Sequence, residues 1–123
     1  MAAVKALLDT NILIDYLNGI EQAREELDRH DRLLISVITW MEVMVGATAE
    51  EDAPVRAFLS RFEVVPVTPE IAERAVEIRR QTGIRLPDAI IWAGAQCEDA
   101  LLVSRNSRDF PPDAPGVRMP YLL

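Results

Sequence analysis

The sequence predicts an α/β domain in which a central parallel sheet of four to five strands is flanked by helices on both faces. Short segments that are apolar throughout alternate along the chain with longer segments of helical periodicity. Strands of that kind are typical of parallel sheets that are buried on both faces. The 123 residues match the size of one domain and contain no internal repeat or linker, so residues 1–123 are interpreted as a single domain.

The first half of the chain is predicted to contain two buried strands and four helices. In order, the segments are a strand VKALLD (4–9), helices TNILIDYLNG (10–19) and IEQAREELDRHD (20–31), a strand RLLISVI (32–38), and helices TWMEVMVGATA (39–49) and EEDAPVRAFLSRF (50–62). The first strand stops at Asp9, and the helix after the second strand is expected to begin close to Thr39, a reasonable N-cap residue.

The second half is predicted to contain three strands and two helices. In order, the segments are a strand EVVPV (63–67), helices TPEIAERAVEIRRQTG (68–83) and LPDAIIWAGAQCED (86–99), and strands ALLVSR (100–105) and VRMPYLL (117–123). Pro66 indicates an edge or strand-end position. The helix over 68–83 has the clearest end signals, with Thr68 as N-cap, Pro69 at the first position and Gly83 as C-cap.

Composition and charge narrow the class of protein. No apolar run reaches the ~18 residues that cross a bilayer, and the first residues do not resemble a secretory signal. The single cysteine, Cys97, excludes an internal disulfide or a cysteine metal cluster. We therefore expect a cytoplasmic protein with no membrane partner. The net charge of -7 argues against a broadly basic nucleic-acid binder, unless the acidic excess is concentrated in a site that holds cations.

Four acidic residues lie in apolar stretches, where an unpaired carboxylate is costly. Asp9 follows the first strand, Glu42 lies among Trp and Met residues, Asp88 opens a nearly uncharged helix, and Asp109 precedes Phe110 after the fourth strand. Because functional crevices lie at the carboxyl ends of parallel strands, we expect these four carboxylates to converge.

Three of these acids also have a purely structural interpretation, whereas Glu42, in the middle of a predicted helix, has no such local explanation. Asp9 is suited to cap the helix that follows it, Asp88 to interact with a helix dipole, and Asp109 to form a turn. Other acidic residues, Glu26 among them, are expected on solvated helix faces, and the only histidine, His30, is likewise expected to be solvated.

Converging carboxylates without a nearby lysine repel one another, and a divalent cation relieves that repulsion. Hard oxygen ligands without Cys or His favour Mg²⁺ or Mn²⁺ over zinc. Such ions activate a water molecule and stabilise charge on a leaving oxygen, so phosphodiester hydrolysis is the reaction that this pattern indicates.

The segments LLDTNILIDYL, SVITWMEVMVGA, LPDAIIWAGAQ and LLVSRNSRDF resemble, in order and spacing, the four motifs of PIN-domain ribonucleases. The similarity is greatest to the VapC-type toxins of toxin–antitoxin modules, and it covers nearly the whole chain. It implies a single PIN-like domain that cleaves RNA with Mg²⁺ or Mn²⁺. It also implies a homodimer that a VapB-like antitoxin silences.

Carried over by motif, the resemblance assigns the metal-binding and catalytic quartet to Asp9, Glu42, Asp88 and Asp109. It assigns supporting roles to four polar residues: Thr10, Asn11, Ser36 and Asn106. Three arginines beside the motifs are expected to contact RNA phosphates: Arg85, Arg105 and Arg108.

Two other functions remain open at this point. An aspartyl-phosphate-type phosphatase also has an Asp at the end of its first strand. Such enzymes use a second Asp two residues later, where this chain has Asn11, and a lysine, which here is only Lys5, before the strand. A metal-stabilised binding or regulatory module without turnover is the third interpretation.

Overall fold

The structure is a computed structural model that describes residues 5–123; residues 1–4, with the first residue of the predicted strand 4–9, lie outside the described residues. Eleven elements are formed within the described range. The strands are β1 (Lys5–Leu8), β2 (Arg32–Ser36), β3 (Glu63–Val65), β4 (Leu101–Val103) and β5 (Val117–Arg118). The helices are α1 (Thr10–Leu17), α2 (Glu21–Arg29), α3 (Val37–Gly46), α4 (Asp52–Leu59), α5 (Pro69–Thr82) and α6 (Leu86–Cys97).

The five strands form one sheet in the order β3-β2-β1-β4-β5, and every neighbouring pair is parallel. The predicted α/β fold with a parallel sheet is confirmed. β3 lies at an edge, as Pro66 indicates. β1 lies at the centre, where Leu7 is opposite Leu34 of β2 and Leu102 of β4. The carboxyl end of β1 is therefore the middle of the sheet's carboxyl edge.

Two apolar cores cover the two faces of the sheet, which explains why the strands are apolar throughout. On one face Leu7 of β1 packs with Ile71 of α5 and Ile91 of α6. On the other face Leu8 packs with α1, α2, α3 and α4, including Ile12. Neighbouring strand residues such as Leu7 and Leu8 point to opposite faces of the sheet, so each belongs to a different core. Helices pack against both faces. Within residues 5–123, no helix is both long and apolar enough to cross a membrane.

Helix α3 begins earlier than the sequence indicates. It starts at Val37, and the Ser36 hydroxyl accepts a hydrogen bond from the backbone N–H of Ile38. The expected N-cap, Thr39, lies inside the helix and is fully buried. The earlier start leaves Thr39 and Glu42 one turn apart on the same helix. The end signals of α5 are confirmed, since Thr68 caps its first turn and Gly83 has a left-handed φ of 77°.

The expected solvation of Glu26 and His30 is wrong, because both side chains are only 3% exposed. Arg118 of β5 donates two hydrogen bonds to Glu26, at 2.8 and 2.9 Å, and Nε2 of His30 lies 2.7 Å from the same carboxylate. Burial raises the pKa of Glu26, but the bonds from Arg118 and His30 outweigh it and hold that pKa below its usual range. The error arises because Arg118 is 92 residues away in sequence.

Candidate active site

The carboxyl edge of the sheet contains a pocket of about 340 Å³. Three of the four predicted acids line it: Asp9, Glu42 and Asp88. The fourth, Asp109, lines an adjoining cavity of about 540 Å³, and Arg85 and Asn106 line both spaces.

Asp9 is buried, with 4% of its surface exposed, and it is the N-cap of α1. Its Oδ1 accepts a hydrogen bond from the backbone N–H of Thr10 at 2.8 Å. Its Oδ2 accepts from the Ser104 hydroxyl at 2.7 Å and from the Asn11 side-chain amide at 3.2 Å. Asp9 therefore caps α1 through Oδ1, as its structural interpretation predicts. Capping does not explain the bonds at Oδ2, which come from α1 and from the residue after β4.

Burial raises the pKa of Asp9 to about 6. The hydrogen bonds from Ser104 and Thr10 lower it, whereas the charges of Asp88 and Glu42 raise it further. Desolvation and two neighbouring acids thus oppose the charged form of the Asp9 carboxyl. A cation at this point would favour that charged form.

Glu42 projects from α3 into the pocket, and its side chain is exposed rather than surrounded by the apolar residues beside it in sequence. The Thr10 hydroxyl donates a hydrogen bond to Oε1 of Glu42 at 2.7 Å. The Thr39 hydroxyl is hydrogen-bonded to that of Thr10 at 3.0 Å. Because a hydroxyl has one proton, Thr10 donates to Glu42 and accepts from Thr39. The two threonines therefore orient Glu42.

Asp88 lies in the first turn of α6 with its side chain 13% exposed. Its Oδ2 is buried and has no hydrogen-bond partner among the described residues. The nearest cation is the Arg85 guanidinium, 3.5 Å from Oδ2. Burial raises the pKa of Asp88, the Arg85 charge lowers it, and the charges of Asp109 and Glu42 raise it again. Oδ2 of Asp88 is therefore buried beside the Arg85 guanidinium but does not make a hydrogen bond of good geometry with it.

Asp109 lies in the loop after β4 and is held by Asn106. The Asn106 amide donates to Oδ2 of Asp109 at 2.9 Å, and the backbone N–H of Asp109 donates back to Oδ1 of Asn106 at 3.3 Å. The next residue, Phe110, is buried and packs edge-on against Trp92 of α6, with ring centroids 5.5 Å apart. The loop thereby places Asp109 beside Asp88, whose pKa reflects its charge.

The donors present fit a hard divalent cation. All four acids offer carboxylate oxygens, and Oδ2 of Asp88 lacks a hydrogen bond. Among residues 5–123 no three Asp, Glu, His or Cys side chains are grouped closely enough to hold an ion as they stand. Mg²⁺ does not require such a cage, since it is usually bound by one or two carboxylates together with water and substrate phosphate.

The predicted supporting residues and arginines lie in three places relative to the pocket. Thr10, Asn11 and Asn106 line the pocket, as do Arg85 and Arg105. Arg108 lines the adjoining cavity with Asp109. Ser36 does not line either space; its hydroxyl caps the helix that carries Glu42.

Three residues at the site were not assigned a role there from the sequence, although Thr39 was expected as a helix N-cap. Ser104 donates to Asp9, Thr39 contacts Thr10, and Asp15 lines the pocket and binds Arg105. The available signal for Asp15 was its spacing of four from Asn11, which puts both on one face of α1.

A family model described as "PIN domain" matches residues 6–111, a range that includes most of β1 and all four acids. This chain belongs to the PIN-domain family. It is 34% identical over 113 residues to Ribonuclease VapC10 of Mycobacterium tuberculosis, a match that covers 85% of each protein. The VapC-type resemblance inferred from the four motifs is thereby confirmed.

Two solved structures have the same architecture. One is described as a toxin–antitoxin complex from Klebsiella pneumoniae; it has a TM-score of 0.91 and 44% identity, covering 96% of this chain and 99% of that one. The other is a DNA-bound VapBC from Salmonella typhimurium, with a TM-score of 0.78 and 31% identity, covering 94% of this chain and 96% of that one. Both are similar to this PIN domain over nearly its full length.

Proposed function

We propose that this PIN domain is a Mg²⁺-dependent endoribonuclease toxin of the VapC type, which hydrolyses phosphodiester bonds in RNA. The observation that carries the proposal is the meeting of Asp9, Glu42 and Asp88 in one pocket, with Asp109 in the adjoining cavity. The name of the M. tuberculosis relative, a ribonuclease, supports RNA as the substrate.

Asp9, Glu42 and Asp88 would hold the principal ion, and Asp109 would complete the site. Mg²⁺, or Mn²⁺ in its place, would supply an activated water and neutralise charge on the reacting phosphate. Thr10 and Ser104 hold by hydrogen bonds the Glu42 and Asp9 carboxylates that would bind the ion. Oδ2 of Asp88, which is buried and accepts no hydrogen bond from the described residues, would be available to the ion or to a water bound to it.

Two arginines flank the acids on the open side of the site and are proposed to bind RNA phosphate. Arg85 is 82% exposed at its side chain and lines both spaces. Arg108 is exposed and lines the cavity next to Asp109. The net charge of -7 disfavours RNA binding in general. The positive charge of these two arginines would still attract phosphate, because binding depends on the charges close to the site.

A VapB-like antitoxin is the proposed protein partner, supported by the toxin–antitoxin complexes among the similar structures. An apolar groove of about 390 Å³ lies between α1, α3 and α4. Ile14 lines both this groove and the acidic pocket, and Ile14 and Leu17 are partly exposed there. An antitoxin segment in the groove would thus adjoin the acids. We also propose a homodimer, which the family resemblance supports. We propose a cytoplasmic location, which the RNA substrate supports.

The test is cleavage of single-stranded RNA by the purified protein with Mg²⁺, compared with the same reaction in excess chelator. We expect cleavage only with the ion, and restoration when Mg²⁺ is added back. A mock preparation from cells that lack the gene controls for contaminating nuclease. Binding of Mg²⁺ without cleavage of any RNA would instead support the regulatory module.

The phosphatase alternative is supported less well by the geometry. The only lysine, Lys5, begins β1, whereas Asp9 follows the other end of that strand. Lys5 is therefore not available to steady a phosphate at Asp9. Trapping a phosphorylated Asp9 would nevertheless revive this alternative.

A further inference from the structure

Arg105, which lines the acidic pocket, is bound by a buried carboxylate of the same chain. Its Nε lies 2.5 Å from Oδ2 of Asp15 and its Nη2 lies 3.0 Å from Oδ1, which is a bidentate pair. Asp15 is 6% exposed, and the Tyr121 hydroxyl donates to its Oδ2 at 2.7 Å. The guanidinium also lies over the Tyr121 ring, 5.9 Å from its centroid. The Arg105 charge is therefore already offset inside the protein.

Helix α1 binds residue 105 at two points. Asn11 and Asp15 are one turn apart on this helix, and the Asn11 side-chain oxygen accepts a hydrogen bond from the backbone N–H of Arg105 at 3.3 Å. Asp15 holds the side chain of the same residue. Both the backbone and the guanidinium of Arg105 are thus fixed relative to the helix that Asp9 caps.

The two neighbours of Arg105 each contact a member of the acidic quartet. Ser104 donates to Asp9, and Asn106 donates to Asp109. The backbone N–H of Asn106 also donates to the Ser104 hydroxyl at 2.9 Å. Residue 105 therefore lies between the two residues that bind Asp9 and Asp109.

We propose that Arg105 is a positioning residue, held by Asp15, that fixes the 104–106 segment so that Asp9 and Asp109 are oriented for the cation. Arg105 would then not contact RNA phosphate, in contrast to the role expected from the sequence. A phosphate would have to displace a buried carboxylate, and leaving Asp15 buried and unpaired is costly. The inference rests on the proposed function for the identity of the cation and of the nucleic acid.

The first arm of the test measures Mn²⁺ binding by titration calorimetry in the absence of RNA, well below the melting temperature. The variants are Asp15→Asn, Arg105→Gln and the double variant. We expect each single change to weaken Mn²⁺ binding by about tenfold, a typical effect of disturbing groups that orient metal ligands. The double variant should be no weaker than the singles, because both remove the same interaction.

Arg118→Gln is the matched control for that arm. Arg118 also forms a bidentate pair with a buried carboxylate, Glu26, and its side chain is 32% exposed against 28% for Arg105. Neither residue of this pair lines the acidic pocket or the adjoining cavity. The control should lower the melting temperature to a similar extent without changing the affinity for Mn²⁺. A general loss of stability is thereby separated from positioning.

The second arm measures RNA binding without divalent ions as a function of salt. Loss of one phosphate contact reduces the slope of log affinity against log salt by about 0.7 for a single strand. We expect that reduction for Arg85→Gln and Arg108→Gln, and an unchanged slope for Arg105→Gln.

A reduced slope in Arg105→Gln, or unaltered Mn²⁺ affinity in both single variants, would overturn the positioning role. Failure of the unmodified protein to bind or cleave any RNA would count against the proposed function instead. The calorimetric arm uses no RNA, so it still decides whether Arg105 orients the acids in that case.

Discussion

The Ser104 hydroxyl donates a 2.7 Å hydrogen bond to Oδ2 of Asp9, although the two residues are 95 positions apart in sequence. Parallel pairing of β1 with β4 brings them together, since the last residues of the two strands, Leu8 and Val103, are opposite each other, and Asp9 and Ser104 directly follow them at the same edge. This bond is one of the interactions that keep the pKa of Asp9 from rising further.

Ser104→Ala should move the acidic limb of the pH profile for cleavage to higher pH. Removing the hydroxyl removes a donor that favours the charged form, so the pKa of Asp9 rises above about 6 and more alkali is needed to ionise it. The measurement is kcat/KM against pH at fixed Mg²⁺. Ser107→Ala, an exposed change in the same loop, should leave the profile in place. An identical profile for Ser104→Ala would show that Asp9 ionisation does not control the rate.

Asp9→Asn should abolish Mg²⁺-dependent cleavage yet stabilise the metal-free protein above pH 6. The pKa of Asp9 is raised from 3.8 to about 6, so its contribution to stability is present below the unfolded value and is lost as pH rises through the folded one. That shift corresponds to on the order of 3 kcal/mol, part of which the neutral amide should recover. Denaturant unfolding with chelator, at about pH 5 and at about pH 8, measures the effect below and above that pKa.

The opposite result would be informative as well. If Asp9→Asn is less stable than the unmodified protein at alkaline pH, the helix cap and the Ser104 bond contribute more than the buried charge costs. If the folded variant retains normal cleavage, Asp9 is not a metal ligand.

Thr10→Val should lower cleavage by about tenfold, because it removes the hydroxyl that orients Glu42. Valine has nearly the same volume as threonine, so the packing around residue 10 should change little. Thr10→Ser keeps the hydroxyl and should retain most of the activity. Melting temperatures of both variants show whether folding is affected. Equal activity in the two variants would mean that Glu42 does not depend on Thr10 for its orientation.

Most features of the fold that could be predicted depend on residues close together in sequence. The DTN turn after β1 and the strong end signals of α5 are local, and they were interpreted correctly. The strand ends also indicated the edge of the sheet at which Asp9, Glu42 and Asp88 meet. Packing of parallel strands forces that convergence, so it followed from the order of the elements.

The start of α3 was missed although its cap is local, whereas the buried acids that were missed depend on distant partners. Asp15 gains Arg105 and Tyr121 from 90 and 106 positions away, and Glu26 gains Arg118 from 92 positions away. In sequence, Asp15 and Glu26 are ordinary acids on amphipathic helices. Their partners come from the segment after β4, from β5 and from the final residues, and no local pattern encodes the approach of these segments to α1 and α2.

Mg²⁺ should raise the melting temperature of the unmodified protein and not that of Asp88→Asn. An ion at 100 times its dissociation constant stabilises the folded state by about 2.7 kcal/mol if it binds only that state. Asp88 contributes a buried oxygen with no hydrogen-bond donor, so the neutral amide removes a ligand and part of the repulsion that the ion relieves. The measurement is thermal unfolding across a Mg²⁺ titration at constant ionic strength. Glu63→Gln, which removes one charge at the start of β3, should keep the full response. Equal responses in unmodified protein and Asp88→Asn would mean that the ion binds elsewhere.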